Sequence, residues 1–227
     1  MTLKNLVREA PLYRSLDFIK NSIQLLVWIA RDRPNPPPNV VKQKIVRELA
    51  RRFGITTFVE TGTYLGDMVH SVYQMFERTY SIEIDEGLYE SARRRFRNAA
   101  SIRIMKGDST KVLSQIFIEC AKPAIFWLDA HFSGGCTGKG KYNTPILQEI
   151  GVILDRRVDG DVILIDDARD FNGLNDYPSI AYMQDLFKKL RPAAVFEVKD
   201  DVIRIHPQER SGSPTIRFGD GLATSGA

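Results

Sequence analysis

Five short runs rich in β-branched and aromatic residues, each followed by a segment of helical period, constrain this chain more than any other feature. The runs are Thr57-Phe58-Val59-Glu60, Tyr80-Ser81-Ile82-Glu83-Ile84, Ser101-Ile102-Arg103-Ile104-Met105, Ala124-Ile125-Phe126-Trp127-Leu128-Asp129 and Asp161-Val162-Ile163-Leu164-Ile165-Asp166. Helical patterns follow them roughly over 64–77, 87–98, 109–120, 144–157 and 178–190. Strands alternating with helices in this way build a parallel sheet covered on both faces. Two further runs, Ala194-Val195-Phe196-Glu197-Val198 and Val202-Ile203-Arg204-Ile205, are joined only by Lys199-Asp200-Asp201. That loop is too short for a parallel crossover, so the last two strands pair antiparallel. The predicted fold is α/β: a doubly wound, mostly parallel, seven-stranded Rossmann-like sheet with a terminal antiparallel hairpin.

At 227 residues, with 43% hydrophobic and 26% charged residues, the chain suits one globular catalytic-sized domain. Pro34, Pro36, Pro37 and Pro38 form a stiff connector. They divide an N-terminal amphipathic helix and its connector (1–38) from a domain spanning 39–207, and a polar tail (208–227) follows. In the N-terminal helix Leu12, Leu16, Ile19, Ile23 and Leu26 make an apolar stripe, widened by Trp28 and Ile29. The stripe is expected to pack on its own domain or a second subunit, with docking at a membrane surface or service as a substrate lid as the other readings. The apolar run 23–30 is shorter than the roughly 20 residues a membrane span requires. Cys120 and Cys136 have neither CxxC spacing nor nearby partners. A disulfide framework and a zinc knuckle are therefore not indicated, and a cytoplasmic location is expected.

In open α/β sheets ligands bind beyond the carboxyl ends of the strands. The first such end reads Glu60-Thr61-Gly62-Thr63-Tyr64-Leu65-Gly66. Glycines at a strand-to-helix turn let backbone approach a ligand closely, while the interval Thr63-Tyr64-Leu65 departs from GxGxxG and argues against a pyrophosphate cofactor. At the second end Glu83 is placed to accept hydrogen bonds from a ribose diol, and Asp85 is assigned to capping the next helix. At the third, Asp108 and Ser109 either approach an adenine amino group or cap a helix. The fourth and fifth ends carry Asp129 and the pair Asp166-Asp167. Three carboxylates converging in a partly dry cleft repel one another unless a cation is present, and an all-oxygen ligand set suits Mg²⁺, with Mn²⁺ or Ca²⁺ as variants.

With these ends in hand, the sequence resembles the class I S-adenosylmethionine-dependent methyltransferases, in particular the cation-dependent O-methyltransferases. Val59 through Gly66 is similar to the first motif of catechol O-methyltransferases, Ser81-Ile82-Glu83-Ile84-Asp85 to their ribose-binding strand, and Trp127-Leu128-Asp129 with Ile165-Asp166-Asp167 to their metal strands. The resemblance spans about residues 55–207. It implies S-adenosylmethionine as cofactor, held by Glu60, Gly62, Thr63, Tyr64, Gly66, Glu83, Asp108 and Ser109, and a metal held by Asp129, Asp166 and Asp167. Macrocin-type sugar O-methyltransferases also carry the Asp-Asp pair, and place a base two residues beyond the fourth-strand ligand. Here that position is His131, the candidate base beside Asp129. Catechol-type enzymes carry lysine three residues after the aspartate; Phe132 stands there instead, which weakens the inference of a catechol acceptor.

The glycine-rich loop 131–142, with Lys139, Lys141 and Tyr142, and the segment Arg169-Asp170-Phe171-Asn172-Gly173 are expected to border the cleft. The resemblance implies methyl transfer to a hydroxyl of a small molecule, a sugar or secondary metabolite. A net charge of +4 selects no partner by itself. Basic clusters at Lys42, Lys44, Arg47, Arg51 and Arg52 and at Arg93-Arg94-Arg95-Phe96-Arg97 read as solvated helix faces, with a nucleic-acid methyltransferase or a non-catalytic Rossmann-like binding protein as the rival functions.

Overall fold

The computed structural model describes residues 11–129, 144–156 and 158–209, with side chains from residue 19 onward. Its sheet has the order β3-β2-β1-β4-β5-β7-β6. The strands are β1 (Thr57–Thr61), β2 (Arg78–Glu83), β3 (Ile102–Lys106), β4 (Ile125–Leu128), β5 (Val162–Ile165), β6 (Ala194–Lys199) and β7 (Val202–Pro207). β1 to β5 are mutually parallel, while β7 runs antiparallel to both β5 and β6. The predicted seven-stranded sheet and its closing hairpin are both present.

The helices are α1 (Pro11–Ala30), α2 (Asn39–Phe53), α3 (Asp67–Val72), α4 (Glu86–Phe96), α5 (Ser109–Glu119), α6 (Ile146–Asp155) and α7 (Ile180–Leu190). Their starts follow local chemistry. Asp85, Asp108 and Ser179 each accept a backbone N–H of the helix they precede, from Leu88, Thr110 and Tyr182 respectively. Gly54 ends α2 in the left-handed conformation and donates to the carbonyls of Ala50 and Arg51. α3 is shorter than the pattern over 64–77 suggested. Tyr64 and Gly66 both take positive φ, so the chain cannot turn helical before Asp67, and after Val72 it tightens into a 3₁₀ turn over Tyr73–Met75.

Each fully buried strand sends alternate residues to opposite faces. From β4, Phe126 and Leu128 join a core with Val112, Leu113 and Ile116 of α5, Ile150 and Ile153 of α6 and Met183 and Phe187 of α7. Ile125 and Trp127 join a second core with Val41, Ile45, Val46 and Leu49 of α2 and Val72 of α3. α2 is thus an integral layer of the domain.

The described part of the stripe on α1 is divided between solvent and the domain. Ile19, Ile23 and Leu26 are 53%, 55% and 65% exposed, whereas Trp28 is 8% exposed, lies in the α2 core and donates its indole N–H to the Pro34 carbonyl at 2.8 Å. Trp28, which widens the stripe, thus packs on the domain through a large buried ring, while Ile19, Ile23 and Leu26 leave an apolar face open on the other side of the helix. Among the described residues no helix is long and apolar enough to cross a membrane. Trp28→Ala is expected to lower stability by about 3 kcal/mol and Ile23→Ala to leave it within about 0.5 kcal/mol, read from denaturant midpoints. Equal losses would show that the outer stripe is also buried in solution.

Candidate active site at the carboxyl edge of the sheet

Register alone brings the sequence-predicted residues into one row. Thr61 pairs with Ile82 and with Leu128, and Leu128 pairs with Ile165. One step further along these parallel strands stand Glu83, Gly62, Asp129 and Asp166, side by side across β2, β1, β4 and β5. The ladder reaches this row: the Asp129 N–H donates to the Thr61 carbonyl and the Asp166 N–H to the Leu128 carbonyl. The row straddles the β1–β4 junction, where the strand order reverses, the usual ligand crevice of open α/β sheets.

At the glycine-bearing end, the turn is organised by acids from beneath. Glu83, 5% exposed, accepts the N–H of Tyr64 on one carboxylate oxygen at 2.8 Å and that of Asp85 on the other at 2.9 Å. The first of these bonds holds Tyr64 at φ 47, a conformation costly for a bulky residue, and the residue is 53% exposed. A carboxylate offers about four acceptor positions, so Glu83 keeps capacity for a ligand. Glu60 is buried behind the turn and accepts from the Ser81 hydroxyl, which in turn meets the Thr63 hydroxyl at 2.6 Å. Burial, with the nearby charges of Asp129 and Glu83 and against the Ser81 hydrogen bond, holds the Glu60 carboxyl well above the usual range. Glu60 and Thr63 thus brace the turn.

Gly66 closes the turn at φ 74, where a Cβ would stand 2.7 Å from the Phe96 ring. Arg95 clamps the same corner, reaching the Leu65 carbonyl and the Asp67 carboxylate. Gly66→Ala therefore meets both backbone strain and a steric clash. It is expected to cost at least about 2 kcal/mol in denaturant titration; a neutral result would mean that the turn reshapes freely.

Asp108 caps α5, accepting both the N–H and the hydroxyl of Thr110 on one carboxylate oxygen, so the capping reading holds for it. Ser109 is buried near Glu149 of α6, a residue that sequence reasoning missed. Burial raises the Glu149 carboxyl to about 7; the charges of Asp108 and Asp129 add to the rise, and the hydroxyls of Ser109 and Thr61 oppose it. Its sequence signal was slight, because Gln148 beside it is also polar in the run Ile146-Leu147-Gln148-Glu149-Ile150.

At the other end of the row, one carboxylate oxygen from each of Asp129, Asp166 and Asp167 lies within 4.8 Å of the others. Asp167 takes φ 55, a left-handed conformation that aspartate tolerates, and its N–H donates to an Asp166 carboxylate oxygen at 2.8 Å. The predicted convergence is real, and so is its electrostatic cost. Burial, then the charges of Asp129 and Asp167, raise the Asp166 carboxyl above its ordinary range despite a neighbouring ammonium.

That ammonium belongs to Lys42 of α2, whose Nζ lies 2.6 Å from Asp166 and 3.4 Å from Asp167. Burial pulls its pKa down, but the three aspartates more than offset this, and the Lys42 amine is raised and charged. Arg169 adds a second cation, shared between Asp167 and Asp201. Tyr177 stands at the border of the cleft, its phenol pushed up to about 12 by burial and by the charges of Asp170, Asp167 and Asp129.

The solvated-face reading of the basic clusters is corrected in part. Lys42 reaches the aspartates, Arg47 donates to the Ser71 carbonyl and Arg95 clamps the turn, whereas Lys44, Arg51, Arg52, Arg93 and Arg94 are exposed. His131, Cys136, Lys139, Lys141 and Tyr142 lie outside the described residues, as does the tail beyond Glu209.

No protein-family model and no curated protein matches this sequence. The three-dimensional arrangement is similar to that of several solved methyltransferases. It is similar to the O-methyltransferase TomG of Streptomyces achromogenes, which is involved in tomaymycin synthesis and was solved with S-adenosylmethionine, at a TM-score of 0.56 and 16% identity over 82% of this chain and 88% of that one. An O-methyltransferase of Bacillus cereus in complex with S-adenosylhomocysteine gives 0.53 and 18%, over 82% and 90%. The Podospora anserina methyltransferase PaMTH1, also bound to S-adenosylhomocysteine, gives 0.52 and 15%, over 82% and 88%.

The buried Glu149 predicts a pH signature. Its carboxyl is raised from 4.5 to about 7 on folding, so the native state retains a proton that the unfolded chain releases. This contribution is full below the unfolded value and is lost as pH rises toward 7. The stability of Glu149→Gln relative to wild type should therefore grow between pH 5 and pH 8, by up to roughly 3 kcal/mol. A constant difference across that range would place the titration elsewhere.

Proposed function

We propose that this protein is an S-adenosylmethionine-dependent O-methyltransferase acting on a hydroxyl of a small molecule, a sugar or secondary metabolite, with a divalent cation assisting. The observation that carries the reading is the single row at the carboxyl edge: a braced glycine turn and Glu83 on one side of the strand-order reversal, three aspartates on the other. Bound there, S-adenosylmethionine would supply a sulfonium methyl, and a divalent cation Lewis acidity that lowers the acceptor hydroxyl's pKa.

In this reading Glu83 receives the ribose hydroxyls, and the backbone of Gly62 to Gly66 lines the cofactor, with Tyr64 over it. Glu60 and Thr63 act by holding the turn, and Ser109 at the third strand end borders the adenine side. The donor set of Asp129, Asp166 and Asp167 fits a hard divalent ion: all its ligand atoms are carboxylate oxygens, and their mutual repulsion calls for positive charge. With a cation bound to these three residues, the acceptor oxygen would lie across the strand-order reversal from the glycine turn, where alignment with the methyl group and sulfur would supply much of the rate. His131, two residues beyond Asp129, takes the hydroxyl proton as the oxygen–carbon bond forms and the sulfur–carbon bond breaks.

Calorimetric titration with S-adenosylmethionine and S-adenosylhomocysteine, with Mg²⁺ and with chelator, tests the class: micromolar binding is expected, and no binding under either condition would favour a non-catalytic or different-ligand domain. The division of roles has its own test. Glu83→Ala should weaken cofactor binding at least tenfold, whereas Asp129→Ala should abolish metal-stimulated turnover and spare most cofactor affinity. Equal effects on both quantities would overturn the division.

A further inference from the structure

Lys42 makes a contact that neither the fold nor the proposed reaction requires. It lies in α2, 124 residues from Asp166 in sequence, and its side chain is only 12% exposed. Val41, Ile45 and Val46 beside it are buried against the sheet, so the packing of α2 fixes where the lysine emerges. Its Nζ reaches Asp166 Oδ2 at 2.6 Å and Asp167 Oδ1 at 3.4 Å, two residues of the trio whose carboxylate oxygens lie within 4.8 Å of one another. An ammonium at this distance uses a coordinating lone pair of Asp166. A divalent ion binds carboxylate oxygen at about 2.1 to 2.5 Å. Both cations cannot use that oxygen at close range without strong mutual repulsion in a site of reduced dielectric.

We propose that Lys42 is the resident counter-cation of the Asp129–Asp166–Asp167 cluster, and that a divalent ion enters by displacing its ammonium, so that this lysine sets the cluster's metal affinity. The inference rests on the reading of the cluster as a cation site. Its consequence is a site whose carboxylate repulsion is partly offset when metal is absent. Lysine suits such a role better than arginine, because a compact ammonium on a flexible four-carbon stem can swing out and be rehydrated, whereas a guanidinium fork holds a carboxylate through two bonds. The neighbouring Arg169 stays anchored: it is shared with Asp201, which also accepts the Arg169 backbone N–H at 2.9 Å. The two cations therefore differ in kind, one exchangeable and one fixed.

Mn²⁺ binding, measured by the loss of its free electron-spin-resonance signal on full-length wild type, Lys42→Met and Lys42→Arg, tests the proposal. Lys42→Met should bind at least tenfold more tightly than wild type, and Lys42→Arg no more tightly than wild type. Equal affinities in wild type and Lys42→Met overturn the proposal while leaving cation assistance intact; absence of binding in all three overturns both. A wild-type measurement covers the case of a poorly folded variant. Acetylation of Lys42 by a water-soluble succinimidyl ester, quantified by mass spectrometry, should accelerate at least threefold when Mg²⁺ is added, as the amine leaves the carboxylates. An unchanged or slower rate overturns displacement.

Discussion

Parallel strands in register deliver their next residues to one edge at a spacing of about 4.8 Å, and here that geometry puts acidic side chains next to one another. Asp129 and Asp166 follow registered partners on β4 and β5, and Asp167 is folded back beside them by its positive φ. Carboxylates so close in a half-dry cleft raise one another's proton affinity unless cations intervene. Much of the surrounding architecture answers this constraint: Lys42 comes from α2, Arg169 from the turn after β5, and Asp201 from the hairpin anchors that arginine in turn.

The other half of the row works by the opposite principle, with acids serving as acceptors for backbone. Glu83 spends part of its capacity on the N–H groups of Tyr64 and Asp85, which stabilises a turn that the tyrosine's own conformational preference opposes. Glu60 sits deeper, joined to Ser81 and through it to Thr63. Glu149 approaches the same region from α6 with a carboxyl that burial raises to about 7. Charge is thus graded along the edge: buried acids with raised proton affinity lie behind the turn, and an ion-paired, cation-seeking cluster lies across the strand-order reversal.

Much of this was legible in the chain itself. Strand runs, helix periods and the three-residue link before the last strand determine the seven-stranded sheet and its antiparallel end, because period and loop length are local quantities. Acids and glycines at strand ends are equally local, so Glu83, Gly62, Gly66, Asp129 and Asp166-Asp167 can be singled out before any coordinates exist. The capping role of Asp85 follows from a side-chain oxygen just ahead of a helix, whereas Asp108 had two open readings and the structure shows it capping.

Tertiary structure alone decided what each of these groups meets. No sequence spacing links Lys42 to Asp166, and a lysine in a basic helix reads as solvated until the packing of Val41, Ile45 and Val46 fixes the helix rotation. Glu149 carries no distinguishing signal beside Gln148, and only the packing of α6 buries it, at 1% exposure, near Ser109. The apolar stripe of α1 identified a helix, but only the packing shows that one indole bonded to Pro34 seats it on the domain while Ile19, Ile23 and Leu26 stay exposed. Periodicity records what a segment can become; which face is buried, and which charges are brought together, depends on partners far away in the chain.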